Sequence, residues 1–218
     1  MRSNEDLQTD VQDAIKWEPL LNTAEIIVIA KDGVITLTGI VDSFSKKSEA
    51  RDAAKNVSGV RDVVENIDIQ IRNNGAIGDG QIASEVLKAM KWHWEVPSDK
   101  IKIKVVKGWV TLEGVLPWHY QKLAAKASVN NLVGIKGVTN NIRIKSKTSV
   151  DIDQKDIEQA LGRNWAIVSK DIRVKVSGNS ITLIGTVDSM NQKDIAENIA
   201  WKSPGVNKVE NELVIEYM

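Results

Sequence analysis

The side chains best suited to acid–base or metal chemistry are the two histidines. His93 lies in Trp92-His93-Trp94, and His119 lies 26 positions further on in Trp118-His119-Tyr120. A zinc centre needs three or four ligands at suitable spacing. Two His and no Cys do not supply that set, so each ring reads as a helix-terminal His among packing aromatics. The chain contains no Gly-x4-Gly-Lys-Ser/Thr phosphate loop, no Gly-x-Gly-x-x-Gly turn and no Gly-x-Ser-x-Gly nucleophile elbow. We read no catalytic residue, no metal ligand set and no cofactor site from these positions. Without cysteine, disulfides and thiol nucleophiles are excluded as well.

What remains is surface chemistry, in which cations stand beside tryptophans. Lys88, Lys91, Trp92 and Trp94 form one group, at the end of a predicted helix. An indole favours the headgroup region of a bilayer, and neighbouring lysines favour anionic lipid. Lys102, Lys104, Trp109, Arg143 and Lys145 form a second group, on one face of a predicted sheet, where they could hold anionic headgroups or a phosphate backbone. Two other readings compete there. The charges could form a solvated face that discourages edge pairing, or they could dock to an acidic neighbour.

The charge distribution supplies such a neighbour. The 218 residues carry 29 Lys/Arg and 29 Asp/Glu, a net charge of zero. Residues 1–74 hold 9 basic and 13 acidic side chains, residues 75–148 hold 12 and 5, and residues 149–218 hold 8 and 11. The thirds are therefore acidic, basic and acidic. With 42% hydrophobic and 27% charged residues, the composition is globular, and bulk disorder is excluded. No apolar run reaches the ~20 residues of a membrane span. The first residues show no apolar signal segment, which predicts a cytoplasmic chain, or a periplasmic one if such a segment has been removed.

The same boundaries emerge from internal repetition. A shift of 75 places Leu7, Val11, Ala14, Ile15 and Trp17 on Ile82, Val86, Ala89, Met90 and Trp92. It also places Gly33, Thr36, Leu37 and Gly39 on Gly108, Thr111, Leu112 and Gly114. A further shift of 71 carries Thr111, Leu112 and Gly114 onto Thr182, Leu183 and Gly185, and Trp94 onto Trp165. Three units result: 1–74, 75–148 and 149–218. Asn73–Gly78 reads as a flexible linker. After Ser146–Val150, Ser149 or Asp151 is the expected start of the next helix.

Each unit reads α-β-β-α-β. Leu7, Val11, Ala14 and Ile15 make one helical stripe. Ile101, Ile103 and Val105 alternate with Lys100, Lys102 and Lys104 as in a half-buried strand. Asp32-Gly33, Lys107-Gly108 and Gly178-Asn179 are hairpin turns. Gly39, Gly114 and Gly185 are expected to end the second strand against helix two, where a Cβ has no room. Gly59, Gly134 and Gly205 are expected as C-caps of that helix. The predicted class is α+β: three tandem units, each a three-stranded mixed sheet covered on one face by two helices. The open face of unit one carries Ile27, Ile29 and Val34, a predicted docking surface.

Tryptophan use is skewed, with seven Trp and one Phe. Trp17, Trp92, Trp94 and Trp165 recur at the end of helix one and read most simply as packing anchors. Trp118 follows Pro117 where the other units place Ser43 and Ser189 as helix caps, and Trp201 replaces Lys55 and Asn130. Both are expected at contacts with another unit or another copy.

The repeat resembles the BON domain. The matching residues are Leu37-Thr38-Gly39, Leu112-Glu113-Gly114 and Leu183-Ile184-Gly185. With them go Gly59-Val60-Arg61-Asp62-Val63, Gly134-Ile135-Lys136-Gly137-Val138 and Gly205-Val206-Asn207-Lys208-Val209. Trp17-Glu18-Pro19 and the segment Gly108–Gly114 resemble the three-unit, OsmY-like bacterial subgroup. The resemblance implies a non-enzymatic binding or scaffolding protein linked to osmotic stress. Its partners would be other BON units, copies of itself, or anionic phospholipid. Nucleic acid ranks below these, because the acidic flanking units would repel a phosphate backbone.

Overall fold

The structure is a computed structural model and describes residues 3–22, 24–70, 77–146, 151–167 and 172–216. The first repeat runs α1 (Asn4–Trp17), β1 (Glu25–Lys31), β2 (Val34–Val41), α2 (Phe44–Lys55) and β3 (Asp62–Ile69). The second runs α3 (Asp79–Trp92), β4 (Ile101–Val106), β5 (Trp109–Leu116), α4 (His119–Asn130) and β6 (Gly137–Ile144). The third runs α5 (Gln154–Gly162), β7 (Arg173–Ser177), β8 (Ser180–Val187), α6 (Met190–Ala200) and β9 (Lys208–Ile215). The expected α-β-β-α-β order is therefore present three times.

Each repeat forms its own three-stranded sheet, in the order β1-β2-β3, β4-β5-β6 or β7-β8-β9. The first pairing is antiparallel because a two-residue turn joins the strands. Asp32 and Gly33 have φ of 51° and 82°, and Lys107 and Gly108 have 51° and 81°, as a twist-matched hairpin requires. The second pairing, β5 with β6 and β8 with β9, is parallel, because a helical crossover intervenes. Period-two burial follows: Val110, Leu112 and Leu116 are buried beneath α3 and α4, while Trp109, Glu113 and Val115 are exposed. The helical stripes are buried as predicted, with Leu7, Val11 and Ile15 in α1, and Ile82, Val86 and Met90 in α3.

Four local expectations are corrected. Gly39 and Gly114 do lack room for a Cβ, but the obstruction is the backbone of Glu25 in β1 and of Lys100 just before β4, not helix two. They lie within β2 and β5 rather than ending them. Gly59, Gly134 and Gly205 have φ of 88°, 93° and 86° but sit in the turn before the last strand, several residues beyond the helix end. The C-cap of α4 is Asn131, at φ −97°. Finally, α5 is capped by Asp153, whose carboxylate accepts from Lys155 N–H at 2.8 Å. Asp151 is not the cap, Ser149 and the rest of 147–150 lie outside the described residues, and so do linker residues 73–76.

The chain divides into two bodies. One comprises 1–40, 48–68 and 148–218, and the other comprises 41–47 and 69–147. In the first body, repeats one and three touch directly. Gly59 N–H donates to Asp188 O at 2.9 Å, and Lys55 Nζ lies 3.0 Å from Asp194 Oδ2. In the second body, Phe44 joins the core of Ile82, Val86, Leu112, Leu116 and Val129. Next to it, Ser45 Oγ donates to Asn130 O at 3.1 Å.

Candidate binding surfaces

The two histidines sit at helix termini. His93 is the C-cap of α3, and His119 is the first residue of α4. Burial, and to a smaller extent the nearby Lys122 charge, together push the His119 pKa down to about 4, so the ring is neutral at neutral pH. His93 Nδ1 lies 3.8 Å from Glu95 Oε2. Among the described residues, no group of three or more His, Asp or Glu is placed to hold a metal ion.

The helix-end tryptophans overturn the packing expectation. Trp17, Trp92, Trp94 and Trp165 are 87%, 88%, 87% and 95% exposed. The reason is helical geometry. Trp17 and Trp92 fall two residues after the buried Ile15 and Met90, about 200° around the helix, so each points away from its core stripe. Trp94 lies beyond the helix. Beside them, Lys91 is exposed, and Lys88 is paired with Glu85 Oε1 at 2.9 Å.

The sheet face of repeat two holds the other cations. Register sets Lys102 opposite Glu113, Lys104 opposite Thr111, and Val106 opposite Trp109. Across the parallel pair, Trp109 faces Gly137 and Val115 faces Arg143. Lys145 follows β6 and donates its N–H to Leu116 O at 2.9 Å. This face therefore joins Lys102, Lys104, Trp109 and Arg143, with Glu113 among them offsetting one cation. It is the side of the sheet away from α3 and α4, so Lys88, Lys91, Trp92 and Trp94 occupy a different layer. The sequence reading missed the seating of Trp109 on Gly137, where a Cβ would collide with the indole ring.

Ile27 and Ile29 are 63% and 54% exposed, and Val34 is half-buried. Trp118 is half-buried at the start of α4, with no side-chain cap, as its sequence predicts. Trp201 packs against the core of its own repeat, and its Nε1–H donates to Glu197 Oε1 at 3.3 Å. An open cleft of about 540 Å³ lies between α1 and β1, lined by Gln12, Ile15, Lys16, Leu21, Glu25 and Ile26 among others.

The architecture is that of a tandem α+β repeat whose prominent surface features are exposed tryptophans and a basic sheet face. The BON domain family matches residues 3–71, 78–146 and 149–217, and the chain belongs to that family. It is 28% identical over 129 residues to Osmotically-inducible protein Y of Escherichia coli (strain K12), covering 57% of this chain and 64% of that protein. The match thus spans under two thirds of that relative's length. Two solved structures of CdsD, a structural protein of the type III secretion system of Chlamydia trachomatis, also align. The first, a C-terminal domain, is 16% identical and covers 99% of this chain and 100% of its own. The second is 17% identical and covers 97% and 92%. Both have a TM-score of 0.26, which carries no structural argument. No helix among the described residues is long and apolar enough to cross a membrane.

Proposed function

We propose that this chain is a non-enzymatic, stress-associated binding and scaffolding protein that self-associates. The observation that carries the reading is the exposure of large apolar side chains on separate repeats: Trp17, Trp92, Trp94 and Trp165 at helix ends, and Ile27 and Ile29 on a sheet face. Side chains of this size bury much area when they dock, which is why interfaces favour them. The likeness to an osmotically inducible protein supports the stress association. Solution mass against concentration and salt tests the reading. Association that survives high salt points to the Trp and Ile surfaces, and association that weakens points to the charge pattern. A monomer at every condition, with no partner in a pull-down, overturns it.

A second reading is favoured by one feature of repeat two. There the exposed Trp92 and Trp94 stand beside Lys88 and Lys91, which suits the surface of an anionic phospholipid membrane. Sedimentation with phosphatidylglycerol vesicles checks it. The wild type is expected in the pellet, and a Lys88→Glu, Lys91→Glu variant in the supernatant. A wild type that stays in the supernatant sinks the membrane reading.

A further inference from the structure

The open sheet face of repeat one reads the same in both directions. On β1, the outward positions are Glu25, Ile27, Ile29 and Lys31; on β2 they are Val34, Thr36, Thr38 and Ile40. Register places Glu25 opposite Ile40, Ile27 opposite Thr38, Ile29 opposite Thr36, and Lys31 opposite Val34, with Val28 and Leu37 paired at the midpoint. A two-fold axis through that midpoint, in the plane of contact and perpendicular to the strands, exchanges the two ends of both strands at once. It sets Ile27 against Ile29 of a second copy, Thr36 against Thr38, and Val34 against Ile40, and it sets the Glu25 carboxylate against the Lys31 ammonium. Apolar groups meet apolar groups, hydroxyls meet hydroxyls, and acid meets base.

This face is exposed, with Ile27, Ile29, Ile40 and Val64 at 63%, 54%, 53% and 42%. Repeats two and three hold Lys102 and Lys104, or Arg173 and Lys175, where repeat one holds Ile27 and Ile29. The fold therefore accepts cations at these positions, and folding does not demand the isoleucines. Pairing through the free edge of β1 is less suitable, because α1 already occupies part of that edge. Gln8 Oε1 accepts from Ala30 N–H at 3.4 Å, and Asn4 Oδ1 accepts from Asp32 N–H at 2.9 Å.

We infer that the β1–β2 face of repeat one is a self-complementary interface through which two copies of this chain stack sheet on sheet about a two-fold axis. The inference rests on the self-association proposed above and names its surface. An isologous contact of this kind closes at two copies. Three strands of about seven residues, at ~4.8 Å spacing and ~3.3 Å rise, cover roughly 300 Å² in projection. Counted over both copies this is about 600 Å², below the ~1,200 Å² at which standard specific interfaces begin, so the dimer is expected to be weak and concentration-dependent. β3 carries Asp62 and Asp68 at the two ends of its outward face, so the same axis turns acid toward acid at the far rim, and this repulsion weakens the dimer.

Sedimentation velocity of the full chain from about 5 μM to 0.5 mM tests it. The wild type is expected to shift from monomer to dimer. Ile27→Lys with Ile29→Lys, which copies the side chains of repeat two, should stay monomeric to at least tenfold higher concentration with unchanged circular dichroism. Glu25→Lys and Lys31→Glu should each weaken the dimer about three- to tenfold, and the double exchange should restore it to within about twofold. A dimer unaffected by the two lysines overturns this interface but leaves self-association standing. A wild type that is monomeric throughout overturns both. A double exchange no better than the single ones overturns the two-fold arrangement.

Discussion

The indole of Trp109 lies against the backbone of Gly137, its register partner across the parallel β5–β6 pair. An aromatic ring seated on a strand glycine restores the cover that the missing side chain leaves open. The equivalent positions hold Val34 and Asp62 in repeat one, and Ser180 and Lys208 in repeat three. Trp and Gly therefore occur together in repeat two, and neither occurs at those positions elsewhere.

That pairing predicts a coupled effect. Gly137→Ala should destabilise the protein by about 1–3 kcal/mol, because the added methyl must displace the ring. In a Trp109→Val background the same change should cost well under 1 kcal/mol. Urea denaturation midpoints of the four variants provide the check. Equal costs in both backgrounds would show that the ring is not what excludes a Cβ.

Leu112 is fully buried in the core of repeat two, together with Met90 and Val129. Leu112→Ala should lower stability by about 2–5 kcal/mol, the range for a buried leucine that leaves a cavity. The neighbouring exposed Val115, 43% open to solvent, should tolerate alanine within about 0.5 kcal/mol. Thermal melts of the two variants should separate clearly.

His119 gives the protein a pH dependence of known sign. Its pKa is near 4 in the folded chain against an ordinary 6.5. Between those values the unfolded chain binds a proton that the folded chain refuses, so stability falls as pH drops from about 6.5 to about 4. Above 6.5 both states are neutral and the contribution is flat. His119→Gln should remove this component of the acid slope. An imidazole NMR titration of His119 with a midpoint near 6.5 would falsify the assignment.

Trp92 and Trp94 are almost entirely exposed, so replacing both with alanine should change stability by no more than about 0.5 kcal/mol. The same variant should lose association with phosphatidylglycerol vesicles if those rings insert. A vesicle pellet unchanged by the double substitution removes these residues from any membrane contact.

The salt bridge between Lys55 and Asp194 joins repeats one and three at 3.0 Å, with the two side chains 24% and 51% exposed. Lys55→Glu should cost about 1 kcal/mol or less, and the cost should shrink in 1 M salt. The adjacent bond from Gly59 N–H to Asp188 O carries no net charge and should be indifferent to salt. Denaturation at two ionic strengths separates the two contributions.

The sequence by itself determined the three repeats, the α-β-β-α-β order, the hairpins, and which side chains of each strand and helix stripe turn inward. These are periodic properties, and a period of 2 or 3.6 is written in consecutive residues. The tertiary structure alone decided what depends on the neighbour across a gap. The outward angle of Trp17 and Trp92 is already written in the helical period, whereas Trp94 and Trp165 lie beyond the helix ends, and only the structure shows that they project. Trp109 and Gly137 are 28 positions apart and meet because a helical crossover sets a parallel register. Phe44 follows a repeat-one strand yet joins the core around Val86 and Leu112. The two-way symmetry of Glu25, Ile27, Ile29 and Lys31 with Val34, Thr36, Thr38 and Ile40 exists only once the hairpin register aligns Val28 with Leu37. Alternation says which face a residue occupies, whereas register says which residue stands beside it.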